Sequence, residues 1–146
     1  MGTTQVNRAD VGAPSRAVVL AVRIVGAVLL LATAYIHLKL WRDGFRDIAW
    51  IGPMFMGNVV LGTLGAIAVL VAPLRLLPWA TLLGGLLEIG TLIGLLLALT
   101  VGLFGYHETW GGLVLPSILV EAAGFLVLCG YAAVELRRSR QRALRP

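Results

Sequence analysis

Four long apolar runs, separated by short polar breaks, dominate the chain. They cover about residues 17–38, 51–72, 79–104 and 113–134. Each is close to or above the ~20 residues that a helix needs to cross a hydrocarbon core of ~30 Å. The runs are continuous, whereas strands of a membrane barrel are shorter and alternate polar with apolar residues, so helices are expected. The pattern predicts an all-α bundle of four transmembrane helices spanning residues 17–136. Residues 1–16 read as a flexible tail and residues 137–146 as a basic one. Ala32-Thr33-Ala34 has the small-residue character of a signal-peptide cleavage site. The first run is too long for a signal peptide's apolar core, however, so a true span is the preferred reading.

Composition agrees with this picture. Of 146 residues, 59% are hydrophobic and 13% charged, too few charges to cover a water-facing surface. The net charge of +5 does not point to nucleic acid, because the basic residues sit mostly at the ends of the apolar runs. Arg8, Arg16, Arg75, Arg137, Arg138, Arg140, Arg142 and Arg145 occupy the two tails and the middle turn. Only Lys39, Arg42 and Arg46 lie between the first two runs. The positive-inside rule then puts both termini in the cytoplasm and the first and third loops outside.

Several local patterns refine the outline. Trp41, Phe45 and Ile48 share one face of a helical register, with charges on the other, which predicts a short interfacial helix in the first outer loop. Trp41, Trp50, Tyr106 and Trp110 suit an aromatic belt. Gly90 and Gly94 form a GxxxG motif, and Gly57, Gly62 and Gly65 add small positions to the second helix. Such positions let helices approach closely, within the bundle or in a homo-oligomer. The single cysteine, Cys129, excludes an intramolecular disulfide and reads as a packing residue.

Two polar clusters carry the candidate chemistry. Arg23, Glu88 and Glu121 are ionisable residues inside the spans, and Asn58 adds an amide. Counting ~1.5 Å per residue puts Arg23 at ~25 Å, Glu88 at ~22 Å, Glu121 at ~15 Å and Asn58 at ~12 Å below the outer surface. A buried Arg23–Glu88 ion pair that only fixes the packing is one reading; a ligand-, cation- or proton-handling site is another; snorkelling of Arg23 is a third. The second cluster is His37, His107 and Glu108 at the outer end, with Asp43 and Asp47 nearby. Those side chains suit a divalent metal, and two histidines suit haem b. A capping or solvated histidine is the plainer alternative. No nucleophile elbow, phosphate loop or dinucleotide fingerprint occurs, so catalysis is not expected.

The stretch His37-Leu38-Lys39-Leu40-Trp41-Arg42-Asp43-Gly44-Phe45-Arg46, with Ile51-Gly52-Pro53-Met54-Phe55 and Gly102-Leu103-Phe104-Gly105-Tyr106-His107-Glu108-Thr109-Trp110, resembles a group of small four-helix membrane proteins of actinobacteria. That resemblance covers most of the chain outside the tails. It implies a bacterial inner-membrane protein and transfers no activity and no functional residue. The functional expectations are a small binding or transport protein, an accessory subunit of a larger membrane complex, or a metal- or haem-binding protein.

Overall fold

The computed structural model describes residues 14–144, and the expected tails lie partly outside that range. Four helices form an up-and-down bundle: α1 (Arg16–Arg42), α2 (Ile51–Val71), α3 (Leu77–Thr100) and α4 (Val114–Ala143). All four are long and apolar enough to cross a membrane. Local chemistry sets where they begin. Ser15 caps α1 by accepting from the Val18 amide. Pro53, Pro78 and Pro116 each fall in a first helical turn, where a missing N–H costs nothing.

Every helix exposes large apolar side chains along its span, including Val28 and Leu31 on α1, Leu61, Leu64 and Ile67 on α2, Leu83 and Leu96 on α3, and Leu119 and Leu126 on α4. Water would not tolerate so much exposed hydrocarbon, whereas lipid matches it. This is a multi-pass membrane protein in contact with the bilayer.

The helices pair unequally. α1 packs most closely on α2 and α3 on α4, and α1 also packs along α4. α2 and α3 touch about as extensively as α1 and α4 do, whereas α1 barely meets α3. The close approaches use glycine. A Cβ on Gly62 would lie 3.0 Å from the Leu30 carbonyl oxygen, and one on Gly85 would lie 3.1 Å from the Cys129 backbone nitrogen. The GxxxG glycines behave differently. A Cβ on Gly90 would meet nothing within 4 Å, and one on Gly94 would only touch Leu103. The pattern that suggested close packing within the bundle therefore lies where no neighbouring backbone comes close.

The dry core, Ala27, Leu30, Ala66, Val69, Leu77 and Leu128, occupies the half of the bundle nearest the α2–α3 turn. Arg23 closes that end. Its guanidinium donates to the Val69 carbonyl at 3.0 Å and to the carbonyls of Leu70 and Ala72. These belong to the C-terminal turn of α2, where carbonyls lack helical partners and a cation suits the dipole. An Arg23→Met protein is expected to lose ~1–2 kcal/mol of stability, read as a lower thermal midpoint in detergent. An unchanged midpoint would mean that water serves these carbonyls equally well.

The first loop departs from expectation. Instead of a separate interfacial helix, α1 continues through Trp41 to Arg42, and Phe45–Asp47 forms one 3-10 turn. Gly44, with φ +129°, breaks the helical register between them. The polarity pattern survives: Trp41, Phe45 and Ile48 are half-buried and the neighbouring charges exposed. α3 likewise stops at Thr100, short of the expected Phe104, because Gly102 turns the chain at φ +86°.

Candidate ligand cavity

The half of the bundle beneath the two longer loops is hollow. A cavity of about 500 Å³ lies between the helices there, and each helix gives it a polar group. These are His37 from α1, Asn58 from α2, Thr91 from α3, and Ser117 with Glu121 from α4. The rest of the wall is mainly apolar, and among the described residues it contains no Lys or Arg.

Glu121 is 2% exposed, and its Oε2 has no hydrogen-bond partner among the described residues. It stands two turns into α4, ~10 Å from the start of that helix. Glu88 lies beside the cavity rather than in its wall. It is fully buried; its Oε2 accepts from the Thr33 hydroxyl at 2.8 Å, and its Oε1 is unpartnered. Gly124, one turn along α4 from Glu121, makes the space for it. A Cβ there would come within 2.8 Å of Glu88 Cγ and Cδ. The two carboxyls are close enough for their charges to interact.

Aromatic rings and the α3–α4 loop cover the cavity. Phe45 stacks on Phe55 at 5.1 Å and meets Tyr106 edge-on at 5.5 Å. His37 meets Phe55 edge-on at 5.0 Å, and its Nδ1 lies 2.9 Å from the Thr33 carbonyl oxygen. A carbonyl only accepts, so Nδ1 carries the proton and Nε2 is an acceptor in the neutral ring. Glu108 pins the loop: its backbone N–H donates to the Ala98 carbonyl at 3.0 Å, and its carboxylate accepts from Tyr106 Oη at 3.1 Å and from the Thr109 amide at 2.9 Å. Trp50 and Phe104 join the two loops at a ring separation of 6.3 Å. Both hold positive φ, at 65° and 51°, a strained conformation for an aromatic residue.

Burial first, and then the Glu108 carboxylate, push the Tyr106 phenol up to about 12. A raised folded-state value means that the protonated phenol's contribution to stability is complete below pH 10 and lost as pH climbs through about 12. In an ultraviolet phenolate titration, subtracting the Tyr106→Phe curve from the wild-type curve should leave one transition near pH 12. A difference transition near 10 would show that the loop does not hold the phenol in this way.

The polar residues singled out from sequence are only partly brought together. Asn58 and Glu121 share the cavity wall, and Glu88 adjoins it. Arg23 is not with them. Glu88 is level with Thr33, ten residues and therefore ~15 Å along α1 from Arg23. The expected Arg23–Glu88 pairing rested on distances counted from helix ends, and the real ends are offset from one another. At the loop end, His37 and Glu108 both line the cavity, but His107 is exposed and lies over Gly102. Asp43 and Asp47 form surface pairs with Lys39 and Arg46. No group of three or more His, Cys, Asp or Glu suited to a metal ion occurs among the described residues. Of the two histidines proposed as haem b ligands, His37 lines the cavity and His107 is not among its lining residues.

Sequence reading missed Thr33, Thr91 and Ser117. Hydroxyl residues are ordinary in membrane helices, bonding to their own backbone as Thr91 does to Leu87 and Glu88. Thr33 carried one usable signal, its place one turn before His37 on the same face.

The chain matches no protein-family model, no curated protein and no solved structure.

Proposed function

We propose that this is a bacterial inner-membrane protein, with both termini cytoplasmic, that binds a small apolar molecule bearing a cationic or hydrogen-bond-donating head. The loop-end cavity then opens toward the outer side, and Glu121 is the anchor for the head. One observation carries the reading: among the described residues, a carboxyl oxygen with no partner stands at the wall of an otherwise largely apolar cavity that holds no Lys or Arg. A buried acceptor without a donor is costly unless something supplies one. Asn58, Thr91 and Ser117 offer further hydrogen bonds to the same head. Glu88, one turn deeper on the α4 side, is suited to exchange a proton with Glu121 as a cation arrives or leaves, a property that suits transport.

Support for the orientation comes from arginine placement, with Arg16, Arg75, Arg137 and Arg138 at the end opposite the cavity. A bacterial source rests on the resemblance of the loop sequences. The accessory-subunit reading loses its main motif, since Gly90 and Gly94 line the cavity. The metal reading loses a ligand in His107.

The test compares three six-carbon probes, hexylammonium, hexanol and hexanoate, by the thermal shift each gives the purified protein, since a ligand bound only by the folded state raises its stability. Hexylammonium should stabilise most and hexanoate least. Glu121→Gln should weaken hexylammonium by ~10-fold or more, the loss of one charge-assisted contact. No shift with any probe, or a hexylammonium shift unchanged in Glu121→Gln, would overturn the reading.

A further inference from the structure

The cavity has a second boundary, between α2 and α3, and it differs from the others. Where α1 meets α2 and α3 meets α4, glycines bring the backbones together. Along α2 and α3 the cavity-lining residues Met54, Leu86 and Gly90 are exposed, Met54 at 42% and Leu86 at 52%. A residue that lines a cavity and is also exposed stands at its mouth. Gly90 has open space where a side chain would be.

The depth of this mouth is informative. Met54 is ~5 Å, Gly90 ~15 Å and Leu86 ~21 Å from the loop end of its helix. The opening therefore runs from near the membrane interface, through the depth of Gly90 at the middle of a ~30 Å core, to Leu86 a little beyond it. None of the three lip residues is charged or polar, and what faces them at that depth is acyl chain. Glu121 and the hydroxyls of Thr91 and Ser117 lie within. At the loop end the stack of Phe45, Phe55 and Tyr106 covers part of the cavity, and the exposed lining residues Thr109, Gly111 and Gly112 mark a separate opening with a polar lip.

From this we infer that the ligand is a membrane-dissolved amphiphile, a long-chain molecule with a cationic or hydrogen-bond-donating head, taken from the outer leaflet through the α2–α3 gap. This inference rests on the cavity-binding function proposed above and adds the ligand's class and its route. The head reaches Glu121, the first part of the chain fills the apolar cavity, and the remainder passes between Met54 and Leu86 into lipid. A chain too long for the cavity is thereby accommodated, because its far end never leaves the bilayer. A hydrophilic solute cannot use the α2–α3 slot, since an uncharged apolar opening at acyl-chain depth offers it nothing to replace its water.

The experiment uses the full chain in lipid nanodiscs, with hexylammonium and dodecylammonium as probes and thermal shift as the readout. The wild-type protein should bind both. Met54→Trp and Leu86→Trp, made separately on the two lips, should each weaken dodecylammonium by ~10-fold or more, because the tail loses its exit and its contacts. Hexylammonium binding should fall by less, since its short tail needs no exit, and an unchanged size-exclusion profile shows that both variants are folded. Wild-type binding of hexylammonium but not dodecylammonium would overturn the inference while leaving the cavity function standing. So would lip variants that treat both probes alike. Failure of the wild-type protein to bind either probe would remove the function and this route together.

Discussion

A Gly85→Leu protein is expected to fold poorly or not at all, whereas Gly90→Leu, five residues along the same helix, should fold normally. The contrast is purely one of neighbours. At Gly85 even a Cβ would strike the Cys129 side chain and lie 3.1 Å from its backbone nitrogen. Backbone cannot yield as a flexible side chain can, so α3 and α4 would have to separate along their length. Overpacking of a close seam costs ~1–3 kcal/mol and more where nothing can move, and a leucine against helix backbone belongs at the upper end. In lipid the loss is compounded, because close packing itself holds membrane helices together. At Gly90 the leucine enters open space. It should leave the thermal midpoint within ~0.5 kcal/mol of wild type, as for substitutions that meet no special feature. It should nevertheless reduce hexylammonium binding, since its side chain occupies the cavity. Size-exclusion profile and thermal midpoint in one detergent check the first half, and the probe shift checks the second. Equal loss of stability at the two sites would mean that the α2–α3 seam is closed in the membrane.

The second large effect is expected at Thr33 and Glu88, and it takes the form of a coupling. Thr33 supplies the hydrogen bond to Glu88 Oε2, and Oε1 already lacks a partner. Thr33→Val removes a donor of nearly the same shape and leaves a fully buried carboxyl with neither oxygen paired, at a cost of ~1–3 kcal/mol. Glu88→Leu removes the carboxyl instead, and the Thr33 hydroxyl can return to a carbonyl of its own helix. That variant should be neutral or more stable than wild type, as is usual when a buried polar group gives way to hydrocarbon. The double variant should then recover what Thr33→Val alone loses, so the cycle returns a coupling of ~1–3 kcal/mol. Independent, additive effects would show that water in the neighbouring cavity solvates Glu88 well. A stabilising Glu88→Leu would also indicate that the carboxyl is kept at some cost to the fold, as expected of a functional group inside a membrane.

The sequence by itself determined the bundle. Four apolar runs of sufficient length, broken by Pro73, Gly102 and the charged stretch from Lys39 to Asp47, leave the backbone no way to satisfy its hydrogen bonds in lipid except as four helices. It also marked Glu88 and Glu121, because a carboxyl in an apolar run is conspicuous whatever surrounds it. The tertiary structure decided everything that depends on which face meets which. In these helices the lipid-facing and core-facing residues are both apolar, so periodicity carries little information about orientation. GxxxG reads the same whether the glycines meet a helix, as Gly85 does, or a void, as Gly90 does. Arg23 could not be assigned to Glu88 or to the end of α2 without the relative offsets of the helices, and those are set by side-chain packing and loop geometry. The cavity is the clearest case. It is a space that the four helices leave between them, and no residue in a one-dimensional chain records where its neighbours fail to meet.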